Sequence, residues 1–483
     1  MSQTILNLEE ARELEARYAT RLGEDALMRR AGAAAAAFLK ERAPGRRIAF
    51  LAGPGNNGGD AVAAAIEMKR MGYEPLLVMP AAPKTALART MLSEWLSMGG
   101  SVHPDPYALP KVDAVVDGLF GTGLSKPISG DFLDAVLWFN ERQAYKLALD
   151  VPSGLDSETG LWVGVNPGCR VDDTLTFLSA KSGLFMNNGA DAAGCVHVDE
   201  LGTSVPLTRL ELMGEADFPH VLQPRTRFSH KGDFGRVLIT GGAPGMLGAP
   251  FLAARAALQL GAGSATLSLL DGRAPAFDPF MPEIMVAPAA PDLRRFTTLV
   301  VGPGLGRSDE ARLRLSSLID APIPLVLDAD AINILAEDRE ILFAALHRQA
   351  ATVITPHEGE AARILGVSPE EIRKNRVDAV RDIALKTGAI TVLKGPGTLI
   401  AMRSSRAWLS PIAAPSLATA GSGDVLSGMI GALLAQRYDT MESVLAAVWL
   451  HGKAGETLDA GLTASGIAAA AARILHGERR KMH

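Results

Sequence analysis

Two glycine-rich turns, one in each half of the chain, carry residue types that are suited to binding an anion. The first reads GPGNNGGD (residues 53–60) and follows an apolar run. The second reads ATAGSGDVLSG (residues 418–428) and places Asp424 directly after a glycine. Backbone N–H groups at the start of a helix attract phosphate, and glycine lets a ligand approach the backbone closely. We therefore expect an anionic ligand at each turn, with a tight turn or a capped helix as the structural alternative.

Oxygen-bearing side chains in the first half follow different apolar runs. Asn57 lies in the first turn, Asp117 follows the run VDAVV, and Ser153 lies in the stretch DVPSG. Carbonyl, carboxylate and hydroxyl oxygens that meet at strand ends are the ligands that a hard cation prefers. Asp117 could equally cap a helix or close a turn, so the residues alone leave both interpretations open.

Asp150 is a candidate general base, because it ends the apolar run YKLAL and stands before a proline–glycine turn. An aspartate at such a place can also stabilise the turn through its own backbone. The stretch GLFGTGLSKP (residues 118–127) adds another glycine-rich turn to this half.

Turns in the second half carry further polar groups. A lone histidine is more often structural, but His357 in TPHEGE follows a predicted strand, which favours ligand contact. Lys394 in LKGPGT suits a nucleotide phosphate, or is a solvated surface lysine. Asp328 and Asp330 in LDADAIN either bind Mg²⁺ through water or serve as turn residues. Asp424 is placed to take a proton from a hydroxyl that receives a phosphoryl group.

The polar turns follow apolar runs that alternate with helical patterns, which predicts a doubly wound α/β fold in each half. Apolar runs without polar alternation are typical of parallel strands that are covered on both faces. Ligand sites of such sheets lie beyond the carboxyl ends of the strands. The periodicity weakens near the middle of the chain, so we expect domains at residues 1–217 and 224–483. Helices are expected, among others, at residues 60–72, 84–100 and 249–263.

The composition favours a soluble cytoplasmic protein. The chain has 483 residues, 48% of them hydrophobic and 21% charged, and a formal net charge of -5. This charge argues against a nucleic-acid partner bound through a basic surface. The start of the chain lacks signal-peptide features, and no run is long and apolar enough to span a membrane. Cys169 and Cys195 are expected to be small buried residues, because two cysteines make no disulfide framework or metal pattern.

The first half resembles the YjeF N-terminal family, the NAD(P)H-hydrate epimerases. The motifs GPGNNGGD, VDGLFGTG, LDVPSGLD and AKSGLF carry the resemblance, together with LMRRAG near the start. It implies a K⁺ ion held by Asn57, Asp117 and Ser153, and it implies Asp150 as the acid–base group. The residues that it implies in binding the hydrated cofactor are Asn56, Asn57, Gly58, Gly59, Asp60, Gly121, Thr122, Gly123, Leu124, Ser125, Lys126, Pro127 and Asp150.

The second half resembles the YjeF C-terminal family, the ADP- or ATP-dependent NAD(P)H-hydrate dehydratases with a ribokinase-like fold. The motifs HKGDFGRVLITGG, GAGSATL, GPGLG, DADAIN, TPHEGE, LKGPGT and GSGDVLSG follow one another in that order. Hydrated-cofactor contacts are implied for Ala249, Gly304, Gly306, His357 and Asp424. Nucleotide contacts are implied for Lys394, Gly395, Pro396, Gly397, Thr398 and Gly423. The chain lacks the Asn-Pro-Thr-Gly-like stretch that many members carry before the glycine loop.

Together the resemblances imply a repair enzyme for hydrated NADH and NADPH, with an N-terminal Rossmann-like domain. One half interconverts the epimers of the hydrate, and the other phosphorylates the S epimer with Mg²⁺ and ADP or ATP and then expels phosphate. Asp424 is the implied base, and the amides of residues 421–423 stabilise the phosphoryl group. A ribokinase-class small-molecule kinase and a binding role for the first half are the alternatives. Because both families self-associate, we expect a homo-oligomer.

Overall fold

The computed structural model describes residues 3–23, 25–272, 274–287, 291–404, 406–458 and 463–481. Contacts divide the chain into two compact units, with the division between Leu210 and Glu211. The sequence places the boundary slightly later, between residues 217 and 224. In the described ranges, no helix has both the length and the apolar character that crossing a membrane requires.

The first unit alternates strands and helices along the chain. Its strands are β1 (Gln3–Thr4), β2 (Arg47–Ala52), β3 (Glu74–Val78), β4 (Val102–His103), β5 (Ala114–Gly118), β6 (Tyr145–Leu149), β7 (Asp173–Phe177) and β8 (Cys195–Asp199). Its helices are α1 (Leu8–Leu22), α2 (Ala26–Arg42), α3 (Asn56–Arg70), α4 (Ala86–Ser97), α5 (Asp131–Glu141) and α6 (Gly189–Ala192).

The sheet of the first unit is parallel and runs β4-β3-β2-β5-β6-β7-β8. The chain winds outward from β2 in one direction and then from β5 in the other, which is the Rossmann-like order. Successive residues of β2 face opposite layers: Ile48 and Phe50 pack with one apolar cluster, and Ala49 and Leu51 with the other. This confirms the expected doubly wound fold.

Two expectations for the first unit are wrong. Helix α3 begins at Asn56 rather than at residue 60, so the whole NNGGD stretch forms its first turns. The first turn of α3 packs so closely against the protein that only glycine fits. A Cβ on Gly58 would lie 1.9 Å from the carbonyl oxygen of Gly53. Cys195 is exposed, although Cys169 is buried as expected. Its strand β8 is the last in the sheet order, so among the described residues no strand pairs with its outer side.

The second unit repeats the alternation on a larger scale. Its strands are β9 (Leu210–Leu212), β10 (Arg236–Gly241), β11 (Ser264–Leu269), β12 (Met285–Val286), β13 (Thr298–Val301), β14 (Leu325–Leu327), β15 (Thr352–Ile354), β16 (Ile390–Leu393), β17 (Leu399–Ala401) and β18 (Ala407–Leu409). Its helices are α7 (Pro219–Leu222), α8 (Gly248–Gln259), α9 (Asp309–Ile319), α10 (Asp330–Glu337), α11 (Arg339–Leu346), α12 (Glu358–Leu365), α13 (Pro369–Lys374), α14 (Arg376–Thr387), α15 (Ser422–Ala435), α16 (Thr440–Thr457) and α17 (Ala464–Lys481).

The sheet of the second unit is mixed. From β12 the order is β12-β11-β10-β13-β14-β15-β16-β17-β18, with β9 beside β18. The strands are parallel as far as β16, but β16, β17 and β18 pair antiparallel. The sequence predicts parallel strands throughout. The Lys394–Thr398 turn is short enough to join adjacent antiparallel strands, whereas a parallel pair needs a longer crossover.

Candidate active sites

The first candidate site lies where the strand order reverses between β2 and β5. Helix α3 starts after β2, Asp117 is at the end of β5, and Asp150 follows β6. Because these strands are parallel neighbours, their carboxyl ends meet at one edge of the sheet. The predicted site residues of the first half are therefore brought to a common edge.

Asp117 and Ser153 form a buried hydrogen-bonded pair. The Ser153 hydroxyl donates to Asp117 Oδ1 over 2.6 Å, and the Ser153 amide donates to Oδ2 over 2.7 Å. The Leu119 amide also donates to Oδ1, over 3.1 Å. Burial raises the pKa of Asp117, and these hydrogen bonds act in the opposite direction. All of these hydrogen-bond partners of the Asp117 carboxyl are neutral groups, and none of them is positively charged.

The side chain of Asn57 has the property expected of a cation ligand. It is buried, and within the described part of the chain neither its carbonyl oxygen nor its amide nitrogen has a hydrogen-bond partner. Leaving such a group unsatisfied costs about 1–3 kcal/mol. An unsatisfied amide at the same sheet edge as a buried carboxyl fits a bound cation, which would be coordinated by the amide oxygen and would compensate the negative charge.

Asp150 is held in place by backbone and side-chain contacts. It has a φ of 65°, in the left-handed region that few non-glycine residues adopt. Lys181 donates to its Oδ1 over 2.5 Å, and the Thr176 hydroxyl does so over 3.2 Å. The other oxygen, Oδ2, would lie 3.2 Å from a Cβ built on Gly121. Oδ2 therefore faces the glycine turn that is predicted to bind the hydrated cofactor.

Further carboxyls surround Asp150. Burial and repulsion by Asp150 raise the pKa of Asp60 well above its ordinary value. The same causes raise the pKa of Glu15, which lies on α1. The sequence gives Glu15 and Lys181 no role, because their proximity to Asp150 depends on the tertiary fold; the AKSGLF motif is the signal that could have indicated Lys181. The turn at residues 122–127 continues from Gly121 and is mostly exposed.

The second candidate site begins at the amino end of α15. Gly421 caps this helix with a φ of 88°, and Asp424 lies in its first turn. A Cβ on Gly421 would lie 2.5 Å from Leu252 Cδ1. The positive φ therefore favours glycine at this position, and a side chain there would also displace Leu252. The amides at this helix start form the predicted anion site, and that of Ser422 also donates to the Thr419 carbonyl over 3.3 Å.

A lysine and an aspartate lie beside the anion site. The Lys394 ammonium donates to Asp328 Oδ1 over 2.9 Å, and Thr355 donates to the same oxygen over 2.7 Å. The Lys394 ammonium also lies close to Gly423 at the start of α15, since a Cβ built on this glycine would lie 3.1 Å from Lys394 Nζ. Burial lowers the pKa of Lys394, but the nearby carboxylates, led by Asp328, more than offset this and hold it above the usual value. Lys394 is therefore a charged group of the site rather than a surface lysine.

Two carboxyls at the second candidate site have pKa values near neutrality. Burial, with repulsion by Asp328, raises the pKa of Asp424 to about 7. Burial also raises the pKa of Glu360 to about 7, against the attraction of Lys394. A group that titrates near the working pH can both take up and release a proton. Asp424 thus has the property required of a catalytic base.

His357 has a structural role as the cap of α12. Its Nδ1 accepts from the amides of Gly359 over 2.9 Å and Glu360 over 3.3 Å. Burial, with the nearby charge of Lys394, lowers its pKa. The ring is nevertheless half exposed, and its Nε2 lies 3.4 Å from Glu360 Oε1.

The Lys394–Thr398 turn is fixed by a buried arginine. Arg376 donates to the Gly397 carbonyl over 3.0 Å and pairs with Glu358 over 3.2 Å. A Cβ on Gly395 would lie 2.6 Å from the guanidinium, and Gly395 has a φ of 138°. The turn is therefore built rigidly, which suits a loop that receives a nucleotide.

The remaining predicted contacts lie along the switch point between β10 and β13. Gly304 and Gly306 both have positive φ angles, and the Gly306 amide donates to Asp330 Oδ2 over 2.8 Å. Asp330 therefore supports this turn. Ala249 lies in the first turn of α8, which follows β10. No group of three or more potential metal-ligating side chains occurs in the described residues.

His451 is a site residue that the sequence does not indicate. It is 8% exposed and lies on α16, where its Nε2 is 3.0 Å from the Ser422 carbonyl oxygen. Burial lowers its pKa to about 4, so the ring is neutral at physiological pH and Nε2–H is the donor. The histidine therefore orients the peptide at the start of α15.

The fold and the two sites define a two-domain α/β enzyme whose larger domain is ribokinase-like. The solved structure of a ribokinase-like superfamily protein from Enterococcus faecalis is similar to 57% of this chain and 99% of that chain, with 23% identity and a TM-score of 0.50. The family model described as YjeF-related protein N-terminus matches residues 24–183, and that described as NAD(P)H-hydrate dehydratase matches residues 237–476.

Curated relatives extend over nearly the whole chain. The bifunctional NAD(P)H-hydrate repair enzyme Nnr of Coxiella burnetii is 36% identical over 92% of this chain and 93% of its own length. That of Escherichia coli is 35% identical over 94% of this chain and 90% of its own length. The chain belongs to the family of bifunctional NAD(P)H-hydrate repair enzymes. This confirms the resemblance and favours a repair enzyme over a small-molecule kinase.

Proposed function

We propose that the first unit interconverts the R and S hydrates of NADH and NADPH, and that the second dehydrates the S form with ADP or ATP. One observation supports this proposal most strongly. In this member of the repair-enzyme family, the candidate site of each unit contains an aspartate and a lysine. These are Asp150 with Lys181, and Asp424 with Lys394. Each aspartate lies beside a glycine turn that can bind the anionic part of a ligand.

In the first unit, Asp150 exchanges a proton with the hydrate. Asn57, Asp117 and Ser153 would hold K⁺, which supplies charge compensation at this edge of the sheet. The unsatisfied amide of Asn57 supports this assignment. Residues 56–60 and the turn at residues 121–127 would bind the rest of the cofactor.

In the second unit, Asp424 takes the proton from the hydroxyl of the hydrated ring. The hydroxyl oxygen then forms a bond to the terminal phosphorus of the nucleotide, whose bond to the leaving AMP or ADP breaks. Departure of phosphate with loss of a ring proton restores the dihydronicotinamide. The amides at Gly421–Gly423 stabilise the transferring group. Phosphate leaves far more readily than hydroxide, which is why the reaction needs a nucleotide.

Lys394 and the turn Gly395–Thr398 would bind the nucleotide phosphates. Mg²⁺ would come with these phosphates and needs few protein ligands, for which the carboxyls of Asp328 and Asp330 are available through water. Ala249, Gly304, Gly306 and His357 would contact the hydrated cofactor. We further propose a cytoplasmic homo-oligomer that acts on small molecules, without a nucleic-acid or membrane partner.

Separate assays of the purified epimers test this proposal. The R hydrate, incubated without nucleotide, should yield the S hydrate by chromatography. The S hydrate with Mg²⁺ and ADP or ATP should regain the near-UV absorbance of the dihydronicotinamide, with one phosphate released for each ring restored. Absence of either conversion would overturn the corresponding half of the proposal.

A further inference from the structure

Lys181 is a buried lysine whose hydrogen-bonding capacity is fully used. It is 7% exposed. Its ammonium donates to Asp150 Oδ1 over 2.5 Å, to the Thr176 hydroxyl over 2.9 Å and to the Phe177 carbonyl over 2.7 Å. A lysine ammonium has three protons, so no donor is left for a ligand. Lys181 therefore acts on the site through Asp150.

The contacts of Lys181 make the two oxygens of Asp150 different from one another. Oδ1 accepts from Lys181 and from Thr176, which itself accepts from Lys181. Oδ2 instead faces the position that a Cβ on Gly121 would occupy. Rotation of the carboxyl would require breaking a charge-assisted hydrogen bond inside the protein, which costs more than a neutral one.

The charges around Asp150 add a second reason to retain the lysine. The carboxyls that face it are Asp60 on α3 and Glu15 on α1, with Arg12 beside Glu15. Lys181 lowers the pKa of both Asp60 and Glu15, against burial and repulsion by Asp150. Burying an ammonium costs free energy unless it is paired with an opposite charge. Its position among three carboxyls therefore indicates that Lys181 belongs to the candidate site and is not a core-packing residue.

We propose that Lys181 is the positioning residue of the epimerase site. It fixes Oδ1 of Asp150 so that Oδ2 is the single atom that exchanges a proton with the hydrate. This inference rests on the proposed epimerase function. A lysine that only anchors the loop after β7 would affect the folding of the unit but would not separate the chemical step from substrate binding.

The test measures kcat and KM for the R hydrate without nucleotide, in the full chain. Lys181→Met should lower kcat at least tenfold and leave KM within about threefold, because binding is kept while the reacting atom is misplaced. Lys181→Arg should recover part of kcat. Lys40→Met, on the exposed face of α2, is the matched control and should resemble the unmodified protein.

Thr176→Val keeps the ammonium but removes one hydrogen bond to Oδ1 and one acceptor of the Lys181 ammonium. It should lower kcat about threefold at unchanged KM even if Lys181→Met does not fold. An unchanged kcat in Lys181→Met, or a Thr176→Val variant whose KM rises while kcat stays, would overturn the proposal. Failure of the proposed function is distinguishable, since the unmodified protein would then leave the R hydrate unconverted.

Discussion

Asp150 and Asp424 occupy comparable places in their units but have different partners. Asp150 forms an ion pair with Lys181 over 2.5 Å. Lys394, by contrast, is hydrogen-bonded to Asp328 rather than to Asp424, and burial with repulsion by Asp328 raises the pKa of the Asp424 carboxyl to about 7. The first arrangement fixes an oxygen in space, and the second adjusts the affinity of a carboxyl for a proton.

Asp424→Asn should abolish dehydration and leave epimerisation unchanged. An amide cannot take the hydroxyl proton, so the rate should fall about 100- to 10,000-fold. The measurement is recovery of dihydronicotinamide from the S hydrate with nucleotide. Asp150→Asn is the matched control and should show the opposite pattern. A variant with Asp424→Asn that still dehydrates at the original rate would show that another group is the base.

The dehydration rate should depend on pH through Asp424. Since its pKa is raised to about 7, the carboxylate form is lost as the pH falls below this value. We expect kcat/KM for the S hydrate to fall about tenfold for each pH unit below 7 and to level off above it. Glu360 titrates in the same range, so Glu360→Gln is the control and should retain this dependence. A flat profile from pH 5 to 8 would contradict the assignment.

The sequence indicates most of the candidate site residues through local patterns, because they lie at strand ends or at glycine turns. Asn57, Asp117, Lys394 and Asp424 lie next to apolar runs or glycine turns, and this local pattern is visible in the sequence. Lys181 is 31 positions from Asp150, and no local pattern joins them. His451 lies in an otherwise mostly buried helix, so its orientation toward Ser422 depends on how α16 packs.

Elements were predicted well where the apolar pattern dominates and less well where glycine does. Propensity disfavours helix at Gly58 and Gly59, so the sequence places the start of α3 too late. Packing overrides this, because the missing side chains allow the helix to approach Gly53 and Met28. The sequence does not indicate the antiparallel β16–β17 connection, because the apolar residues on both sides of the Lys394–Thr398 turn resemble a single strand segment.

Gly58→Ala should destabilise the first unit, whereas Gly55→Ala should be tolerated. The added Cβ at Gly58 would lie 1.9 Å from a backbone oxygen, and at Gly55 it would meet nothing within 4 Å. Overpacking against backbone costs about 1–3 kcal/mol or more. Gly55 caps the helix, so its replacement should cost about 1 kcal/mol or less. Denaturant unfolding measures both, and equal losses would contradict the close approach.

His451 should make the second unit sensitive to acid. Its pKa is about 4 in the folded protein and 6.5 ordinarily, so below pH 6.5 the unfolded chain binds the proton more strongly. Stability should therefore fall as the pH falls from 6.5 toward 4, by at most about 1.4 kcal/mol per unit. His451→Gln keeps a donor for Ser422 but does not titrate, and it should reduce this dependence in denaturant unfolding. An identical dependence in both proteins would contradict a buried neutral histidine.

At the scale of the whole molecule, one chain carries two sheets with the same kind of site. In both units the strand order reverses beside a glycine turn, and polar groups follow several strands of the sheet. The doubly wound fold and the family could be predicted because motifs from both halves occur in order. Fusion has a chemical reason, since a dehydratase that acts on the S hydrate alone would leave the R hydrate unused.

The most direct measurement follows the near-UV absorbance of an epimer mixture of NADH hydrate mixed with the purified chain, with and without ADP or ATP. We expect complete recovery of NADH that requires nucleotide, and recovery that stops at the S fraction in Asp150→Asn. Recovery that stops at the S fraction in the unmodified protein would contradict the epimerase assignment. No recovery with either nucleotide would contradict the assignment of the whole chain as a repair enzyme.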